Sequence, residues 1–181
     1  MNALGMVEIQ SIPAGIEAGD FMLKAASVDL VTAQAVCAGK YIVIVTGEVA
    51  AVRSSVQAGE EAAGNLLINS IVISGIHQQV PQAINACTEI GQVEAVGVME
   101  TFSLCAAVIA ADASVKAAEV DLIEVRLGRG LGGKSFIVLT GDVAAVRAAI
   151  DAGTALDEVQ GLMSRSVVIP SPHPDIIKSL L

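Results

Sequence analysis

Polar and apolar residues follow two rhythms along this chain, and the same succession of rhythms occurs twice. Ala3 to Gln10 alternates and predicts a strand. Pro13 suits a first helical turn, and Ile16, Met22 and Leu23 give an apolar face to a helix ending near Ser27. Val28 to Val36 is rich in strand formers, and Cys37-Ala38-Gly39 is a short turn into a continuous apolar strand, Tyr41 to Thr46. Gly47 breaks that strand. Glu48, well placed against the helix dipole, opens a helix to about Ala63. Leu66 to Ser74 predicts another strand and Pro81 the start of a last short helix.

The second half repeats the order from Val93 to Leu181, with Thr88 to Gln92 as linker. Thr46-Gly47-Glu48-Val49-Ala50-Ala51-Val52-Arg53 returns as Thr140-Gly141-Asp142-Val143-Ala144-Ala145-Val146-Arg147. Gly5, Asp20, Lys24 and Val28-Asp29-Leu30 recur as Gly97, Asp112, Lys116 and Val120-Asp121-Leu122, and His77 as His173. Each copy is too long for a solenoid unit and has the size of a small domain, so the expected organisation is a tandem of one fold, residues 1–90 and 91–181. The order β-α-β-β-α-β-α predicts one antiparallel sheet with helices on one face, a ferredoxin-like α+β sandwich.

Composition changes the picture in one respect. The chain is 54% hydrophobic yet only 2% aromatic, with mean hydropathy +0.69. Small domains of this kind are expected to hide surface against partners. A membrane is not the expected partner, since no apolar run approaches the ~18 residues of a spanning helix; the run Leu104 to Ala111 stops at Asp112. Met1 to Gly5 lacks the basic and apolar regions of a signal peptide, so a cytoplasmic protein is expected. The net charge of −9 disfavours a nucleic-acid partner. The three cysteines, Cys37, Cys87 and Cys105, have no counterparts across the repeat and form no disulfide framework.

Gly128-Arg129-Gly130-Leu131-Gly132-Gly133-Lys134-Ser135 fits a phosphate-binding G-x-x-x-x-G-K-[ST] loop letter for letter. Such a loop must be followed by a helix whose N-terminus faces the phosphate. Here Phe136 to Thr140 is β-branched and aromatic, so a glycine-rich hairpin turn is the favoured reading and a nucleotide-binding protein the remote one. No catalytic triad, paired-carboxylate or metal-ligand spacing stands out, and no enzyme activity is expected.

The run Ala18 to Leu30, the turns ending in Gly39-Lys40 and Gly133-Lys134, the Thr-Gly-[Asp/Glu]-Val stretches and Val168 to His173 together resemble the tandem-domain shell proteins of bacterial microcompartments. The resemblance covers both halves. It implies a trimer that imitates a hexamer and tiles, with other shell proteins, into the shell of a cytoplasmic protein organelle. It implies a central pore lined by Cys37, Ala38 and Gly39 and by Gly128, Arg129, Gly130, Leu131, Gly132 and Gly133. In cysteine-bearing members it implies one [4Fe–4S] cluster per trimer, each chain giving one ligand. By position that ligand is Cys37, and the implied role is electron transfer to or from enclosed oxidoreductases. Lys24 and Lys116 fall at the position used for side-by-side packing. The chain departs from the pattern at Ser171, where many members carry Arg, and at Ala38, where Pro is expected.

Other readings of these residues stand beside those. Cys37 as an inert thiol would leave an open metabolite pore. Cys105 and Cys87 read as structural, Arg129 as an anion attractor or a solvated loop residue, and His77 and His173 as turn or interface residues.

Overall fold

The computed structural model describes residues 3–181; Met1 and Asn2, part of the stretch read as no signal peptide, lie outside the described residues. The chain forms two units. The first comprises the chain up to Ile76 together with the loop 128–133; the second comprises His77–Leu127 and Lys134–Leu181.

In the first unit the order is β1 (Ala3–Ile9), α1 (Ile12–Ala25), β2 (Asp29–Val36), β3 (Lys40–Gly47), α2 (Val49–Ala63), a 3-10 turn (Gly64–Leu66) and β4 (Leu67–Ser74). The strands form one antiparallel sheet, β2-β3-β1-β4, in which Gly5 pairs with Val45 and Val72. Every residue of β1 is buried, as its central position requires. Ala3, Val7 and Ile9 share a core with Val43 and Val45 of β3, Ala18 and Met22 of α1, and Val52 and Val56 of α2. The period of two in the strands and of 3.6 in the helices thus meet on one apolar layer. Gly5 is required there: a Cβ at that position would lie 2.5 Å from the Val56 side chain. Ser11 caps α1 by accepting from the Ala14 N–H.

The second unit contains α3 (Gln79–Ile84), β5 (Ala95–Thr101), α4 (Leu104–Ala117), β6 (Asp121–Leu127), β7 (Ser135–Gly141), α5 (Val143–Thr154), α6 (Asp157–Gln160), β8 (Met163–Ile169) and α7 (Pro174–Lys178). Its sheet, β6-β7-β5-β8, repeats the first, including the register shift: β2 slips between Leu30 and Thr32, β6 between Leu122 and Glu124. Gly97 stands for Gly5, its missing Cβ within 3.0 Å of Ile150 and Val146.

The expected sandwich is present twice. The repeat boundary near residue 90 is not the packing boundary, however. The helix that closes the first repeat, α3, packs with the second unit on β6 and α4. It also starts at Gln79, so Pro81 falls inside its first turn, where a missing N–H costs nothing.

Candidate functional site

The β2–β3 ladder ends at the Val36–Lys40 pair, leaving Cys37, Ala38 and Gly39 as its connection. Gly39 has φ +75°, which only glycine adopts freely. The loop 128–133 belongs to the same unit and closes over this turn. The Cys37 N–H donates to the Gly128 carbonyl at 2.9 Å. Gly128, Gly130, Gly132 and Gly133 all have positive φ, so the loop depends on glycine throughout. The Gly130 amide, then the Leu131 amide, hold the Cys37 thiol below its ordinary range; Gly132 and Gly133 add to this, and desolvation opposes it.

The Cys37 side chain is half-buried. It lines an open depression of ≈ 640 Å³ with Ala35, Val36, Ala38, Gly39, Arg129, Gly130 and Gly132. The walls are apolar apart from Arg129, whose Nη1 donates to Gln34 Oε1 at 3.3 Å. The two loops singled out in the sequence, far apart along the chain, therefore meet at one cysteine.

An iron–sulfur cluster needs thiolates and is tuned by hydrogen bonds to sulfur. Cys37 fits the first requirement: the loop amides hold its thiol below the ordinary range, which favours the thiolate. It does not make a site alone. Among the described residues no group of three or more His, Cys, Asp or Glu is placed to hold a metal ion. By itself Cys37 supplies one ligand, and a cluster would need further ligands from outside this chain.

The remaining candidates lie elsewhere. Lys134 leads into β7 rather than into a helix and pairs with Glu100 at 2.9 Å, so the glycine loop lacks the phosphate-binding geometry. Cys105 is buried in α4. Cys87 is exposed beyond the end of α3, its Sγ 3.3 Å from the Asn85 carbonyl, and has no packing role. Lys24 is exposed and pairs with exposed Asp20, whereas Lys116 pairs with buried Asp112. His77 and His173 accept at Nδ1 from the N–H two residues on, Gln79 and Asp175, and so act as turn residues.

One polar cluster escaped the sequence reading. In the second unit Asp112 Oδ1 accepts from the His77 N–H at 2.9 Å. The Gln79 side chain donates to Asp121 at 2.9 Å and accepts from the Leu122 N–H at 3.0 Å. The recurrence of Asp20 as Asp112 and Asp29 as Asp121 was its only signal.

The profile of the BMC domain matches residues 3–76 and again 95–172. The bacterial microcompartment shell protein PduT of Citrobacter freundii is 37% identical over 180 residues, covering 99% of this chain and 98% of that protein. The shell protein PduA of the same organism is 46% identical over 90 residues, 49% of this chain and 94% of its own. A crystal structure of a microcompartment protein from Desulfitobacterium hafniense DCB superposes with a TM-score of 0.94 at 48% identity, covering 98% of this chain and 99% of that one. Among the described residues no helix is long and apolar enough to cross a membrane. Two BMC domains, each on its own antiparallel sheet, and likeness to such relatives along nearly the whole chain establish that it belongs to the BMC-domain family of bacterial microcompartment shell proteins.

Proposed function

We propose that this shell protein assembles as a homotrimer in which the Cys37 turns of the copies converge and hold one [4Fe–4S] cluster, giving the shell a redox centre. The observation that carries this reading is the place of Cys37: a half-buried thiol in the tight turn 37–39, which is tied to the 128–133 loop by the Cys37 N–H and opens on an apolar depression. A ligand thiolate there needs its charge stabilised, and the loop amides hold the thiol below its ordinary range. Bound there, the cluster would supply one-electron transfer between the faces of the shell, to or from enclosed oxidoreductases. The chain's own part is to present the sulfur, donate hydrogen bonds to it and keep bulky side chains away through Ala38, Gly39, Gly130 and Gly132. Other shell proteins are the lateral partners, met at edges that include Lys24 and Lys116.

Anaerobic purification tests this. About four iron and four sulfide per trimer are expected, as one four-iron cluster requires. They should vanish in Cys37→Ser and persist in Cys87→Ser and Cys105→Ala. An iron-free anaerobic preparation that also resists reconstitution would overturn the cluster and leave an open metabolite pore at the same turn.

A further inference from the structure

Cys37 and Arg129 hold the same place in their repeats, counted from the strand that precedes each turn. Ala35 pairs with Tyr41 and Leu127 with Ser135, and Tyr41 and Ser135 each follow the recurring Gly-Lys. Two residues beyond Ala35 stands Cys37; two residues beyond Leu127 stands Arg129. One repeat therefore puts a thiol where the other puts a guanidinium, and both side chains line one depression of ≈ 640 Å³.

The charge of that depression is set almost entirely by Arg129. Among the described residues lining it, no other side chain is charged apart from the Cys37 thiolate. The lysines that lead into the adjoining strands are neutralised, Lys40 by Glu8 and Lys134 by Glu100. Arg129 is exposed and donates to the neutral Gln34 side chain; among the described residues no carboxylate pairs with it. A guanidinium keeps its proton at every working pH, so this charge is permanent. It stands in a chain whose net charge is −9, and the depression is thus a local exception on an acidic protein.

We propose that Arg129 selects by charge what reaches the Cys37 turn, so that the depression admits small anions, carboxylates among them, ahead of neutral molecules of the same size. Apolar walls focus the field of a single cation, and the planar fork of arginine matches a carboxylate. Arg129 acts on the incoming species and not on the thiol, which the amides of Gly130 to Gly133 already hold low. The selection itself needs only one chain. Its consequence for a cluster rests on the reading above: each electron accepted from an enclosed oxidoreductase adds one negative charge near one guanidinium per chain, which favours the reduced state.

Charge-matched alkylation of the full-length, iron-free, reduced protein tests the proposal. Anionic iodoacetate and neutral iodoacetamide attack the same thiolate, so the ratio of their rates does not depend on how much thiolate is present. The ratio is read at Cys37 by peptide mass, with exposed Cys87, which lies outside the depression, as internal reference. Arg129→Ala should lower the ratio at Cys37 severalfold while leaving the iodoacetamide rate and the Cys87 ratio unchanged. Arg129→Lys should keep most of the preference, and added salt should weaken it in the wild type. In anaerobically purified protein, a dithionite titration followed by electron paramagnetic resonance should show a lower midpoint potential in Arg129→Ala.

The proposal is overturned if Arg129→Ala leaves the ratio at Cys37 unchanged, if it slows both reagents alike, or if a loaded variant keeps the wild-type potential. An iron-free anaerobic preparation in which Arg129→Ala still lowers the ratio leaves this proposal standing while the cluster reading falls. A full iron content with an unchanged ratio does the reverse.

Discussion

Glu100 shows at a single residue how the second repeat uses charge. It lies on β5, and its carboxylate accepts from Lys134 Nζ at 2.9 Å and from Ser164 Oγ at 2.7 Å. The Lys134 hydrogen bond first, then that from Ser164, holds the carboxyl below its ordinary range. A carboxylate with a depressed folded pKa contributes stability that is fully present above the unfolded pKa. That contribution is lost as pH falls through the folded value. Glu100→Gln should therefore melt below the wild type at neutral pH, with the gap closing on acidification past the ordinary carboxylate range. The effect is small, because the Glu100 side chain is 38% exposed and water screens the pair. Thermal melts of both proteins across a pH series check it; a gap independent of pH would remove Glu100 ionisation as the cause.

At the scale of elements, the repeats solve the same problem with different residues. Asp142 caps α5 by accepting from the Ala144 and Ala145 N–H groups. Its equivalent, Glu48, has almost the same backbone conformation, φ −64° and ψ 143° against φ −65° and ψ 159°, but makes no side-chain cap hydrogen bond. Asp142→Ala should cost about 1 kcal/mol, measured by denaturant unfolding, and an unchanged midpoint would remove the cap as a contributor. The helix pairs vary in a similar way. In the first unit Ser55 of α2 donates to the Met22 carbonyl of α1; in the second, Ser114 of α4 donates to the Ala149 carbonyl of α5. Since Met22 corresponds to Ser114 and Ser55 to Ala149, one buried hydrogen bond is kept with its donor moved to the opposite helix. Gly59 and Gly153 allow both approaches: a Cβ would lie 2.7 Å from Met22 in one and 2.4 Å from Ser114 Oγ in the other.

For the whole molecule, charge and apolar surface set opposite tendencies. A net charge of −9 per chain makes assembled tiles repel, so a lysine at an edge has leverage out of proportion to its number. Under the proposed tiling, Lys24→Asp combined with Lys116→Asp should abolish extended sheets in electron micrographs while leaving the size of the isolated particle unchanged. Sheets indistinguishable from the wild type would remove both lysines from the edge. The two are unequal to begin with. Lys116 is steadied by buried Asp112, whose other oxygen holds the His77 N–H, whereas Lys24 and Asp20 are both open to solvent.

The sequence by itself determined the tandem repeat, the strands of both copies and their helices apart from α6, and the reading of the Gly128–Ser135 loop as a hairpin rather than a phosphate cradle. Each of these depends on local periodicity or on short-range backbone preference, and both are written in neighbouring residues. Only the tertiary structure decided that His77–Ile84 packs with the second unit, that the loop 128–133 belongs with the first, and that this loop meets the Cys37 turn. It alone decided that Val108 is buried while Ile16 is exposed. The reason is physical: a hydrophobic pattern fixes which face of an element is apolar, whereas what covers that face depends on segments far away along the chain.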